Sequence, residues 1–436
     1  MRLIPESPDR SWYARLILLA GLAILLAGLP VPIPVRALIE VSVMGAAAVV
    51  TVLGLARHSR MQVARIAFLL MLVLYVALLS KPNIPDLSSG LQGIRYTMVA
   101  ISGLMLGLAL PDREGERFGL LEAVSVLLLV AATASLAVHA LAPGYEESLS
   151  RSADIATSML GGQMRMQGLL SGPFHVSMLG SFLTLAGAWI LPQARRRGAW
   201  YLAAGLSFLG IGIALVLLAR VRTGMIVTGL GLLVLLVVGI QQDPGFGQFF
   251  RALRPRRLRD WAIAAVAVLA LAGIVVVASQ NVAVQEIGHL PHDHRVNSRV
   301  DAIEASWDVA TDSPLTGWGP GSASTGLRKD FVDAGKTFEA PHNGALGLVI
   351  EAGLGALICF LVIVGTTLVN LFREFRRGRQ KAATGIALAA LMPVLGFWVV
   401  GDALAALPIS LCLFLITGIY LANGIALDRR VETSGE

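Results

Sequence analysis

The sequence predicts an all-α, polytopic membrane protein with about twelve transmembrane helices. Three observations lead there. Of 436 residues, 56% are hydrophobic and only 14% charged, and the mean hydropathy is +0.73. Apolar runs of about 20 residues, enough to span a bilayer, recur from end to end and are continuous rather than alternating, which indicates helices and not a barrel. Lysine and arginine also concentrate in alternate connections, as a repeatedly crossing chain requires.

In order, the spans fall at about 13–29, 37–56, 64–80, 96–110, 118–142, 172–193, 199–219, 223–240, 260–279, 344–370, 382–402 and 405–425. Acids and prolines precede the first run, so it reads as a retained span, not a cleaved signal. The fourth is short. One set of connections holds Arg57, Arg60, Arg195-Arg196-Arg197, the runs at 251–260 and 372–381, and both termini. It carries 23 of the 35 lysines and arginines, against 12 on the other side. That side is read as cytoplasmic, with both termini inside. The formal charge of +7 then reflects topology and contact with anionic membrane lipids, not nucleic-acid binding. Cys359 and Cys412 lie inside spans, so no disulfide framework is expected. One transmembrane domain, 1–436, is expected with two outward loops, 143–171 and 280–343. Six of the seven histidines face outward with them.

Cations on the translocated side run against the insertion bias, so each needs a reason. Arg220 and Arg222 flank a turn of almost no length between the seventh and eighth spans. Snorkelling explains single arginines at span ends, but two in three residues fit anion binding better. Arg222 also opens a helix, where backbone N–H groups and the dipole favour a phosphate. Lys81 and Arg95 bracket a short outward connection and read equally as phosphate ligands or interface anchors. Arg165 and Arg299 lie in the long loops. Arg299 begins an amphipathic pattern with Val300, Ile303, Trp307 and Ala310 on one face, which suits an interfacial helix.

Pro341-His342-Asn343-Gly344 leads into an apolar run, with Asn343 as helix N-cap. His342 then stands near the positive end of the helix dipole, which favours the neutral ring a general base needs. Glu351, nine residues on, lies on the opposite face, about 12–14 Å deeper. It reads as structural, with Gly353 and Gly355 allowing a neighbouring helix close. His175 begins the sixth span and reads as part of the same outer vestibule. The segment 289–294, HLPHDH, lacks an established zinc spacing such as HExxH and reads as solvated loop, so no metal site is assigned.

Four stretches together resemble the O-antigen ligase and polymerase superfamily. MQGLLSGPFHVSMLGSFL is similar to the family's entry into its middle spans. LLARVRTGMIVTGL resembles its serine-arginine-glycine element, with Arg222 as the matching arginine and Val221 in place of the usual small polar residue. SRVDAIEASWDVATDSPLTGWGPGS resembles its loop element, with Arg299 matching. PHNGALGLVIEAGLG, carrying His342, Asn343, Glu351, Gly353 and Gly355, matches best.

The resemblance implies a GT-C-like helical glycosyltransferase. Its donor would be a glycan on undecaprenyl pyrophosphate. In the ligase branch the acceptor would be lipid A–core, in the outer leaflet of a Gram-negative inner membrane. His342 would be the catalytic base. Arg222, Arg299, Lys81 and Arg220 would bind pyrophosphate, with Arg95, Arg165, His175 and Asn343 in the vestibule. No cofactor is expected: an inverting displacement would use fixed cations instead of a metal. The alternatives are an O-antigen polymerase, a protein O-oligosaccharyltransferase and a lipid-linked glycan transporter. The last would favour mid-membrane charges and paired repeats.

Overall fold

The computed structural model describes residues 10–26, 33–56, 59–82, 84, 86–110, 119–152, 159–160, 163–170, 172–193, 198–242, 294–323, 343–377, 381–401 and 403–434. Its helices are α1 (Arg10–Leu26), α2 (Ile33–Leu55), α3 (Gln62–Ala77, extended by a 3-10 turn to Ser80), α4 (Leu87–Ala109), α5 (Leu120–Leu141) and α6 (Pro143–Ser152). They continue as α7 (Pro173–Ile190), α8 (Ala199–Ala219), α9 (Arg222–Gln242), α10 (His294–Asp312), α11 (Gly344–Arg377), α12 (Lys381–Val400) and α13 (Ile409–Ser434). A two-residue antiparallel ladder, Met159–Leu160 against Gln163–Met164, is the only sheet among the described residues.

Ten of these helices are long and apolar enough to cross a bilayer. The chain is a polytopic, all-helical membrane protein. α1 adds a shorter apolar stretch, Arg15–Leu26. The span expected at 260–279 lies outside the described residues.

Local chemistry sets the helix ends. The Asp86 carboxylate caps α4 by accepting from Ser89 N at 2.8 Å. Glu122 accepts from Gly119 N at 3.0 Å ahead of α5, and Pro173 occupies the first turn of α7. Within the spans, hydroxyls such as Ser102, Ser125, Thr184 and Thr367 bond the carbonyl four residues back, so apolar surroundings leave them satisfied.

Two glycine seams bring helices close. Gly180 and Gly187 of α7 face Gly205 and Gly212 of α8, and Gly103 and Gly107 of α4 face the backbone of α13 around Leu411, Leu415 and Gly418. A Cβ at any of these four α7 and α4 positions would run into the partner helix. Close backbone approach replaces the hydrophobic drive that lipid cannot supply.

Several boundaries differ from expectation, among them the end of α13, at Ser434 and not near 425, and two have a visible packing reason. α4 begins at Leu87, not near 96, because its polar first turns pack on protein: Gly90 lies against Leu79, and Gly93 against Pro320 and Gly321. α11 runs on past residue 370 to Arg377, where Glu374 pairs with Arg60 and Arg377, each at 3.4 Å. On α10 the apolar side chains Val300, Ile303 and Trp307 are exposed, while Ala302, Ser306, Val309 and Ala310 are buried. Ala310 thus belongs to the face packed towards α11, not to the outer stripe.

Candidate functional site

α11 is broken at Gly353, whose φ of 73° and ψ of −175° lie outside helical space. A break inside a span leaves backbone groups unpaired unless protein supplies partners. Here the 313–322 loop supplies them. Trp318 N donates to Ile350 O at 2.6 Å, Gly319 N to Glu351 O at 2.9 Å, and Leu354 N to Pro314 O at 2.8 Å. Gly317 and Gly319 have φ of 59° and 112°, so the glycines of PLTGWGPGS allow the loop to turn tightly enough to enter the gap. Trp318 Nε1 anchors it to Val309 O at 2.8 Å.

Lys81 closes this arrangement. Its ammonium donates to Thr316 Oγ1 at 2.8 Å, to Thr316 O at 3.3 Å and to Gly317 O, matching its three protons. Burial lowers its pKa. Lys81 is therefore a strut for the loop and meets an anion only by exchanging one of these acceptors. Glu351, 2% exposed, accepts from Tyr75 OH of α3 at 3.3 Å and Thr97 Oγ1 of α4 at 3.5 Å. The carboxylate joins three helices beside the break. Gly353 is the break itself, whereas Gly355 is an ordinary close contact with Leu74.

The second element is the turn between α8 and α9. Arg220 ends α8 in the left-handed region, φ 51°. Its Nη1 donates to Met164 O at 2.7 Å, and its Nε is buried with no hydrogen-bond partner among the described residues. Burial lowers its pKa. Arg165 returns the exchange, donating from Nε to Ala219 O at 3.3 Å, and Met166 N donates to Leu218 O at 3.0 Å. Arg222 is the first residue of α9 and is half-buried.

The 163–170 segment is itself held by a residue the sequence did not single out. Glu146 of α6, 0% exposed, accepts from Gly168 N at 2.7 Å and from Gln167 N, and pairs with His139 Nδ1 at 2.6 Å. Burial raises its pKa, but the bonds from His139, Gly168 and Gln167 and the His139 charge outweigh that and lower it overall. The only hint in the sequence is an acid in the 143–171 loop, which looks like any solvated glutamate.

The third element joins these parts. Asn343 caps α11 through Oδ1, accepting from Ala345 N at 3.0 Å and Leu346 N at 3.1 Å. Its Nδ2 donates to Val399 O of α12 at 3.1 Å. α12 carries Phe397, edge-on to Phe174 of α7 with centroids 4.6 Å apart. One turn deeper on α7, Ser177 touches Gly224 of α9. The first turns of α7, α9 and α11 and the end of α12 therefore gather at one end of the bundle, bringing His175, Arg222 and Asn343 to the same rim. His342 precedes Asn343 directly but lies outside the described residues, as do 289–293 of HLPHDH. Arg299 lies in the second turn of α10. Arg95 of α4 pairs with the buried Glu40 of α2, which Arg36 also contacts, at 3.2 Å.

Residues 206–361 match the sequence family described as O-antigen ligase. The stretch holds Arg220, Arg222, Arg299, His342, Asn343, Glu351, Gly353 and Gly355, together with the inserted loop. Lys81, Arg95, Arg165 and His175 lie outside it. No curated protein matches the chain. Over these residues the chain is similar to the O-antigen ligase family, and the match supports a glycosyl-transfer function of the ligase or polymerase type.

Proposed function

We propose that this protein is an O-antigen ligase of the Gram-negative inner membrane. It moves glycan from undecaprenyl pyrophosphate to lipid A–core on the periplasmic face, with both termini cytoplasmic. The observation that carries the reading is the Arg220–Arg222 turn. It sets two guanidinium groups in three residues, one with a buried Nε that has no protein partner among the described residues and one at a helix start.

His342 takes the proton of the acceptor hydroxyl as that oxygen attacks the anomeric carbon. The bond from that carbon to the pyrophosphate oxygen breaks in the same step, so the anomeric configuration inverts and no glycosyl-enzyme forms. The charge that develops on the departing pyrophosphate is met by Arg222 and Arg220, joined by Arg299. Lys81 acts on this site through the loop it braces. Arg222→Lys replaces a forked contact with a point charge and is expected to lower transfer about 10-fold or more.

The test is glycan transfer by purified protein in liposomes containing EDTA, with polyprenyl-pyrophosphate glycan as donor and lipid A–core as acceptor. Product on lipid A–core that disappears in His342→Ala supports a metal-independent ligase. Longer glycan on the polyprenyl carrier, with none on core, reassigns the protein as a polymerase.

A further inference from the structure

The ionic cluster shared by α2 and α4 has no part in the chemistry above. Arg36 Nε donates to Glu40 Oε1 at 3.2 Å, one turn along α2, and Arg95 of α4 pairs with Glu40 Oε2. The Glu40 side chain is 2% exposed, against 37% for Arg36 and 24% for Arg95. Charged groups inside spans are costly and mark functional sites by default. Tying two helices together needs one cation per carboxylate. The second arginine leaves the cluster with an excess positive charge on two guanidinium groups that share one carboxylate.

The surroundings suit a ligand. Nδ1 of His175 is buried without a hydrogen-bond partner among the described residues, and the ring lies within electrostatic reach of Arg36. On α4, Gln92 Nε2 donates to Tyr96 OH at 2.8 Å, and the Arg95 guanidinium stands 5.2 Å from the Tyr96 ring centre. A cation pair beside an aromatic face and a side-chain amide matches a phosphorylated or acidic sugar. Arg36 and Arg95 lie about 5 and 12 Å from the starts of α2 and α4, at 1.5 Å per residue, within reach of a lipid-anchored headgroup.

We propose that Arg36 and Arg95, braced by Glu40, bind the phosphate or carboxylate group of the lipid-anchored acceptor. This rests on the transfer reaction proposed above. In-line displacement sets the attacking hydroxyl opposite the departing pyrophosphate, so the acceptor's own charge needs cations other than the Arg220–Arg222 turn.

The test compares wild-type protein with Arg36→Gln, which keeps the Arg95–Glu40 pair, in zwitterionic liposomes. Donor and acceptor KM are measured separately, with intact and dephosphorylated lipid A–core. Loss of one charge-assisted contact is expected to raise acceptor KM roughly tenfold while donor KM and kcat stay within about twofold. With the dephosphorylated acceptor, the difference between wild type and variant should shrink. A rise in donor KM instead, or an acceptor KM that does not move, overturns the assignment. Native mass spectrometry of acceptor lipid bound to each protein reads the site without requiring turnover. Equal binding by wild type and variant refutes the acceptor site. Binding lost in Arg36→Gln from a protein that transfers nothing keeps the site and refutes the reaction. Binding of added phosphatidylglycerol with the same Arg36 dependence, and no preference for the acceptor, makes it a general lipid phosphate site and also overturns the proposal.

Discussion

Gly353 and Gly355 stand two residues apart in the same motif, yet the structure predicts opposite responses to alanine. At Gly353 the backbone adopts φ 73° and ψ −175°, a region essentially reserved for glycine, so alanine costs about 1–3 kcal/mol in strain alone. Its Cβ would also run into Leu315 O and Thr316 N, and relief requires the inserted loop to back away. That movement breaks the bonds of Trp318 N, Gly319 N and Leu354 N, at about 0.5–1.5 kcal/mol each. The total is roughly 3–7 kcal/mol. Gly355 sits in regular helix, and the nearest atom to an added Cβ is Leu74 Cδ2 at 3.4 Å. Alanine there gains up to about 1 kcal/mol of helix propensity. The chain's two cysteines, Cys359 and Cys412, lie in spans and can report unfolding by reaction with a thiol-sensitive dye during heating. Gly353→Ala should lower Tm by about 3–8 °C, with Gly355→Ala at or above wild type. Equal shifts, or a Gly353→Ala protein that melts with the wild type, would refute the wedge-in-break account.

Other outcomes follow from the same geometry. Lys81→Met removes three donors from Thr316 and Gly317; limited proteolysis of the 313–322 loop should accelerate, with Lys81→Arg intermediate, and unchanged cleavage would contradict the strut role. Glu146→Gln should speed hydrogen exchange at the Gln167 and Gly168 amides and reduce transfer through the Arg220 turn. Because the Glu146 pKa is lowered in the fold, its stabilisation is present above the unfolded carboxylate value and is lost only as pH falls through the lowered one. Protection of those two amides should therefore hold at neutral pH and fail in acid, and loss on the alkaline side would point to another group. Asn343→Ala removes a cap, worth about 1 kcal/mol, and the tie to Val399; the observable is a lower Tm together with weaker transfer.

The spans were legible because lipid demands long apolar runs, and eleven of the twelve expected correspond to described helices. α4 reads short because its first two turns bury Ser89, Gly90 and Gly93 against protein. Hydropathy measures preference for lipid and has no access to such packing. Asn343 was readable as a cap, since that chemistry is local. The meeting of Glu351 with Tyr75 and Thr97 was not, because its partners lie more than 250 residues away. Gly353 and Gly355 look alike as letters, and only the inserted loop tells them apart. Glu40 and Arg36 escaped notice for a related reason: one acid and one base in an apolar span gain meaning only when Arg95 arrives from another helix.

The inserted loop also orders events during synthesis. Lys81, just after α3, and Gly93 of α4 emerge early, whereas the backbone they meet, Thr316 to Gly321, is made more than 220 residues later. Until then the nascent chain holds an incomplete amino-terminal half in the bilayer, with the seat for the loop vacant. Final assembly is thus a late step that draws together both ends of a long chain. Chains stalled before residue 322 should be cleared faster by membrane proteases than chains stalled after 377.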